Sequence, residues 1–79
     1  MPTILRADGY RVYFYSREPG EPPHVDADRG GATAKVWLDP VTLAGNSGFS
    51  TRELRDVLRL ARTRQVECLE AWHGFFDAG

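Results

Sequence analysis

After a double proline, the chain sets a chelating or proton-moving side chain at alternate positions: Glu21-Pro22-Pro23-His24-Val25-Asp26-Ala27-Asp28. On an extended strand, alternate side chains share a face, about 6.6 Å from one to the next. Imidazole beside carboxylates suits zinc, manganese or another divalent ion. It also suits a base oriented by an acid. Side chains along one straight strand point in parallel, so a converging centre needs a ligand from elsewhere, and Glu21 is the nearest. The plain reading is a solvated sheet face in which Asp26 pairs across to Lys35 and His24 rests on Trp37. No bound metal or cofactor is expected. His24, Asp26 and Lys35 remain the candidate catalytic group.

A second pattern is basic. Arg52, Arg55, Arg59 and Arg62 recur every three or four residues, and His73 continues the row further along. One helical turn is about 5.4 Å, close to the spacing of successive phosphates, and a guanidinium grips phosphate bidentately. This makes a candidate face for nucleic acid or an acidic partner, to which Arg6, Arg11 and Trp37 can add. Tyr13 and Trp37 form a stacking platform if both lie on an open sheet face. The plain reading is a solvated helix surface with Arg52–Asp56 and Asp56–Arg59 pairs, worth a few tenths of a kcal/mol each. The sequence has no phosphate-cradling glycine loop, cysteine cluster or Ser-His-Asp signature.

Strands and one helix must position these residues. Asp8-Gly9 predicts a tight hairpin turn, pairing Leu5 with Val12, Thr3 with Phe14 and Arg6 with Arg11. Thr3, Leu5, Ala7, Tyr10, Val12 and Phe14 then share the core face. The direct opposition of two arginines is unfavourable unless the side chains splay into water. Ser16 to Pro23 reads as a loop. Gly30-Gly31 predicts a second hairpin, pairing Asp28 with Thr33, Asp26 with Lys35 and His24 with Trp37, with Val25, Ala27, Ala34, Val36 and Leu38 facing the core. Residues 39–49 read as a connector. Ser50 and Glu53 form a capping box. Apolar residues at Leu54, Val57, Leu58, Ala61, Cys68, Leu69, Trp72, Phe75 and Phe76 then keep helical spacing, interrupted only around Thr63 to Gln65, which marks Thr63 as the place for a kink. The expectation is an α+β domain: a four-stranded antiparallel sheet of two hairpins over residues 3–38, and one long helix over 50–77, packed on one face. That helix is about 38 Å long and overhangs the sheet, leaving Trp72, Phe75 and Phe76 as candidate interface residues.

The totals narrow the classes. The 79 residues make one domain, with 42% hydrophobic and 27% charged residues and a net charge of −1, so no global pull toward nucleic acid or anionic membrane is expected. The single cysteine, Cys68, excludes an internal disulfide and a cysteine zinc cage. No apolar run reaches the roughly 20 residues of a membrane span, and Met1-Pro2-Thr3-Ile4 does not open a signal peptide. The expected setting is cytoplasmic, and so small a core favours a homodimer or heterocomplex.

The order of motifs, MPTILRADGYRVYFYS, EPPHV, AKVWLDPVTLAGNSGFSTREL and LEAWHGFF, resembles a bacterial family of small proteins, domain of unknown function 4160. The resemblance covers nearly the whole chain. It implies a neighbouring gene for a second small protein, and so a toxin–antitoxin-like module. His24 matches the first histidine of the family's usual Pro-Pro-His-Val-His-Val, and Asp26 stands where the second would be. If that pair does acid–base work, the change removes it, because Asp carries no positive charge near neutral pH. If it binds metal, a weaker or different site remains. Three functions follow: a module that binds a partner protein, a small ribonuclease-like toxin using His24 with basic residues, or a regulator that binds RNA or DNA.

Overall fold

The computed structural model describes residues 3–15 and 20–77. Among them the chain forms β1 (Thr3–Ala7), β2 (Tyr10–Tyr13), β3 (His24–Arg29), β4 (Ala32–Leu38), β5 (Val41–Ser47), α1 (Thr51–Thr63) and α2 (Gln65–Phe76). The strands form one antiparallel meander in sequence order. The expected α+β architecture holds, with five strands and two helices among the described residues in place of four and one.

Both hairpins follow from their turns. Asp8 and Gly9 have φ of 54° and 82°, the left-handed pair whose twist matches the flanking strands. Leu5 faces Val12, Ala7 faces Tyr10 and Arg6 faces Arg11. The expected Thr3–Phe14 pair does not form. An irregularity between Thr3 and Leu5 shifts Thr3 onto Tyr13, and Phe14 leaves the ladder for an aromatic cluster. In the second hairpin Asp28 faces Thr33, Asp26 faces Lys35 and His24 faces Trp37, as the period of two predicts.

The expected connector holds a fifth strand. The turn at Asp39-Pro40 folds Val41 back onto Leu38, and Leu43 faces Val36. A bulge follows, since Lys35 faces Gly45 while the neighbouring Val36 faces Leu43. Gly45, Asn46 and Ser47 have little strand propensity, so pairing with β4 decides their conformation. Near the end of β5, the Asn46 side chain clamps Phe49: its Nδ2 donates to the Phe49 carbonyl and its Oδ1 accepts from the Phe49 amide, both at 3.1 Å. Phe49 is thereby turned into the core beneath α1.

The sheet contributes Tyr10, Val12, Val25, Ala27, Ala34, Val36 and Leu38 to that core, and the helices contribute Val57, Ala61 and Cys68. Ser50 caps α1 reciprocally: its Oγ accepts from the Glu53 amide at 3.2 Å, and its own amide donates to Glu53 Oε1 at 2.9 Å. The expected single helix is divided at Arg64, with φ −108° and ψ 22°. Hydrogen bonds still run through the break, from Arg64 N to Leu60 O and from Cys68 N to Arg64 O, both 2.9 Å. The division falls in the segment lacking apolar residues, where the Gln65 side chain donates to the Leu38 carbonyl at 2.6 Å. The two helices therefore act as one bent rod. The molecule measures 37 Å in its long dimension against 21 and 20 Å in the others. A rod from Thr51 to Phe76 is about 39 Å long, which accounts for that dimension.

Candidate functional site

Two surfaces collect the candidate residues: the sheet face away from the core, and the outer face of the helical rod. On the sheet face, β2 pairs with β3, with Arg11 opposite Asp28 and Tyr13 opposite Asp26. The two hairpins thus lie side by side with their polar faces aligned. Arg6 and Arg11 are directly opposed, as expected, but they do not share a site. Arg11 turns to Thr3 Oγ1 (3.1 Å), to Asp28 Oδ2 (3.7 Å) and over the Tyr13 ring (4.6 Å), while Arg6 is exposed.

Lys35 lies opposite Asp26 by register, and its Nζ reaches Glu21 Oε1 at 2.5 Å and Oε2 at 3.3 Å. It also sits 4.8 Å from the Trp37 ring. Glu21, the residue that could have completed a metal centre with β3, therefore pairs with a lysine. Among the described residues no three of the His, Cys, Asp and Glu side chains come together to hold a metal ion. Tyr13 is buried within this face, and burial pushes its phenol up to about 12; a hydrogen bond with Thr33 opposes the rise and one with Tyr15 adds to it.

His24 is placed differently from a solvated strand residue. It is 0% exposed. Its ring meets Trp37 edge-on at 5.6 Å, and Trp72 of α2 covers it at 4.8 Å. The Nδ1 lies 3.1 Å from the Pro22 carbonyl, which only accepts, so Nδ1 carries the proton. The double proline thus ends the loop and supplies the acceptor that fixes the imidazole. The expected resting of His24 on Trp37 is present; the cover by Trp72 was not foreseen.

Trp72 is 3% exposed and does not overhang the sheet. It packs on Phe14 (5.4 Å), His24 and Phe76 (4.3 Å), and Phe14 also meets Phe75 (5.4 Å) and Phe76 (5.5 Å). Of the three expected interface aromatics, only Phe75 stays largely outside, at 48% exposure. The cause is Phe14: once released from the ladder it offers an aromatic floor, and Trp, Phe and His rings then close the end of the sheet. The signal was the unbroken run Tyr13-Phe14-Tyr15, which cannot keep strand alternation on both faces.

The rod's outer face carries Arg52, Arg55, Arg59 and Arg62, all exposed. Arg59 approaches Asp56 at 3.9 Å, a solvent-facing pair of small energetic worth. His73, further along, meets Asp77 at 2.8 Å on the same exposed face. Distance separates the arginines of the sheet from His24. Arg11 lies opposite Asp28, four residues along β3 from His24, or about 13 Å.

Among the described residues no helix is long and apolar enough to cross a membrane. No curated protein and no solved structure matches the chain. The model of the family described as Domain of unknown function (DUF4160) matches residues 9–73, from the first hairpin turn to His73, and the chain belongs to that family.

Proposed function

We propose that this chain is a component of a bacterial type II toxin–antitoxin-like module and acts mainly by binding a partner protein, the small protein encoded by an adjacent gene. The enclosure of His24 carries this reading. A general base must come within hydrogen-bond reach of the proton it takes. The His24 imidazole is 0% exposed, walled by Trp37 and Trp72, with Nδ1 committed to the Pro22 carbonyl. The ring braces the loop, β3 and α2 against one another. The remaining candidate groups, Lys35 and Asp26, lie within a lattice of charge and ring contacts that suits a rigid scaffold better than proton transfer.

DNA reading gains no support from the two helices. A helix-turn-helix sets its helices at about 90–120°, whereas this pair forms one elongated rod. What the molecule offers to others is the charged outer face of that rod and the exposed Phe75.

The test is co-expression with the product of the adjacent gene, a tag on one chain only, and measurement of the mass of the purified complex. A complex of fixed stoichiometry supports the reading. Failure to co-purify, together with RNA cleavage by this chain alone that His24→Ala abolishes while the fold is retained, would replace it with the ribonuclease reading. Binding of RNA or DNA without cleavage would favour the regulator.

A further inference from the structure

The outer face of the rod, which the partner-binding reading offers to a second protein, also carries a charge pattern of its own. Arg55, Arg59, Arg62, Val66, Glu70, His73 and Asp77 are all exposed. Counted from Val66 they stand at −11, −7, −4, 0, +4, +7 and +11. These are the spacings of one helical stripe, and the hydrogen-bonded His73–Asp77 pair at 2.8 Å marks its α2 half. Every arginine precedes Val66 and every carboxylate follows it. Among the described residues Val66 is the most exposed of the large apolar side chains, at 69%.

We propose that this face pairs with a second copy of the chain, antiparallel, about a two-fold axis through Val66. An isologous interface requires a patch complementary to itself, and this stripe meets that condition. Reversing it sets Arg62 against the second copy's Glu70, Arg55 against its Asp77, and Arg59 against its His73, with the two Val66 side chains in contact at the centre. The charge is complementary over the elements as well. The segment Thr51–Thr63 has four arginines against Glu53 and Asp56, net +2, while residues 65–77 have Glu67, Glu70 and Asp77 and no lysine or arginine, net −3. A parallel pairing would oppose arginine to arginine. A nucleic-acid strand running along the same face would gain at α1 and meet repulsion from Glu70 and Asp77 on α2. The stripe from Arg55 to Asp77 is about 33 Å long and one helix wide. Such a contact falls below the roughly 1,200 Å² of a standard interface, so the dimer is weak and salt-sensitive.

The pairing needs no other protein, so purified full-length chain tests it apart from the proposed function. Sedimentation equilibrium at low ionic strength should show a concentration-dependent dimer that dissociates as salt is raised. Arg62→Glu should weaken it by at least about tenfold, and adding Glu70→Arg to that variant should restore it, since both symmetric pairs are then reversed. All of these side chains are exposed, and circular dichroism checks that the fold is kept. Val66→Cys should give a disulfide-linked dimer on mild oxidation, while the native Cys68 is buried and does not compete. A chain that stays monomeric at every concentration and salt overturns the proposal. So does a dimer indifferent to Arg62→Glu, a double variant that fails to recover, or a Val66→Cys variant that remains monomeric under oxidation.

Discussion

His24→Ala separates the structural role of the imidazole from a catalytic one. The substitution removes a fully enclosed ring from between Trp37 and Trp72 and leaves the Pro22 carbonyl without its donor. The lost hydrogen bond costs about 1 kcal/mol. Removing a buried ring adds a transfer and cavity loss of about 2 kcal/mol, the low end for large-to-small core changes because the imidazole is polar. The expected loss is about 3 kcal/mol, against a total of about 4–12 kcal/mol for a chain of this size. With a urea dependence of about 1 kcal/mol/M, the unfolding midpoint should fall by about 3 M, and the thermal midpoint by about 12–24 °C. His24→Phe keeps a ring in the box and loses only the hydrogen bond, so it should recover most of that loss. The assay is urea unfolding followed by tryptophan fluorescence, which Trp37 and Trp72 report directly. A His24→Ala variant with a wild-type midpoint would refute the reasoning, since a ring whose removal costs nothing is not bracing the sheet end.

Two further perturbations test the packing. Burial pushes the Cys68 thiol up to about 11 and the Tyr13 phenol up to about 12, from ordinary values of 9.0 and 10.0. Both groups hold their protons more tightly in the folded chain, so their contribution to stability is complete below about pH 9 and is lost as pH rises through 11 to 12. The loss is on the order of 2 kcal/mol per group. The urea midpoint should therefore fall between pH 9 and 11, and a level profile across that range would contradict it. Ser50→Ala opens the capping box at the start of α1 and should cost about 1 kcal/mol in the same assay; a change below about 0.3 kcal/mol would show that the packing of α1 on the sheet fixes the helix start unaided.

How much of this was legible depended on whether one interaction dominated each segment. The second hairpin was readable to the register, and the first as far as the Leu5–Val12 pair, because Asp8-Gly9 and Gly30-Gly31 leave few turn geometries and the alternation agrees with them. The N-terminus of α1 was readable because Ser50 and Glu53 satisfy each other's backbone donors locally. β5 was not, because Gly45, Asn46 and Ser47 carry no strand signal of their own and pair only because β4 presents an edge. The bend at Arg64 was visible as a gap in the apolar pattern, but its place depends on Gln65 finding the Leu38 carbonyl, 27 positions away. The burial of Trp72 was hidden for the same reason. It rests on Phe14 leaving a ladder that alternation alone extends through it.

Asp26 is where the chain departs from the family's resembled pattern of two histidines, and the structure supplies a physical context for that departure. Its neighbours across the sheet are Lys35 on one side and Tyr13 on the other. Arg11 stands beside Tyr13, bound to Asp28 and Tyr13 itself. A carboxylate at position 26 is the charge this neighbourhood of lysine and arginine favours, and its negative field is one of the influences that hold the Tyr13 phenol protonated. A protonated imidazole there would face Lys35 as a like charge directly across the ladder, which is unfavourable. With Glu21 drawn to Lys35 and Asp28 to Arg11, acid and base groups alternate across this part of the sheet. The acidic members of the polar repeat after the double proline thus face basic side chains across the ladder, Asp26 opposite Lys35 and Asp28 opposite Arg11. His24, at its end, joins the aromatic wall, with its Nδ1 4.0 Å from the Glu21 carboxylate that pairs with Lys35.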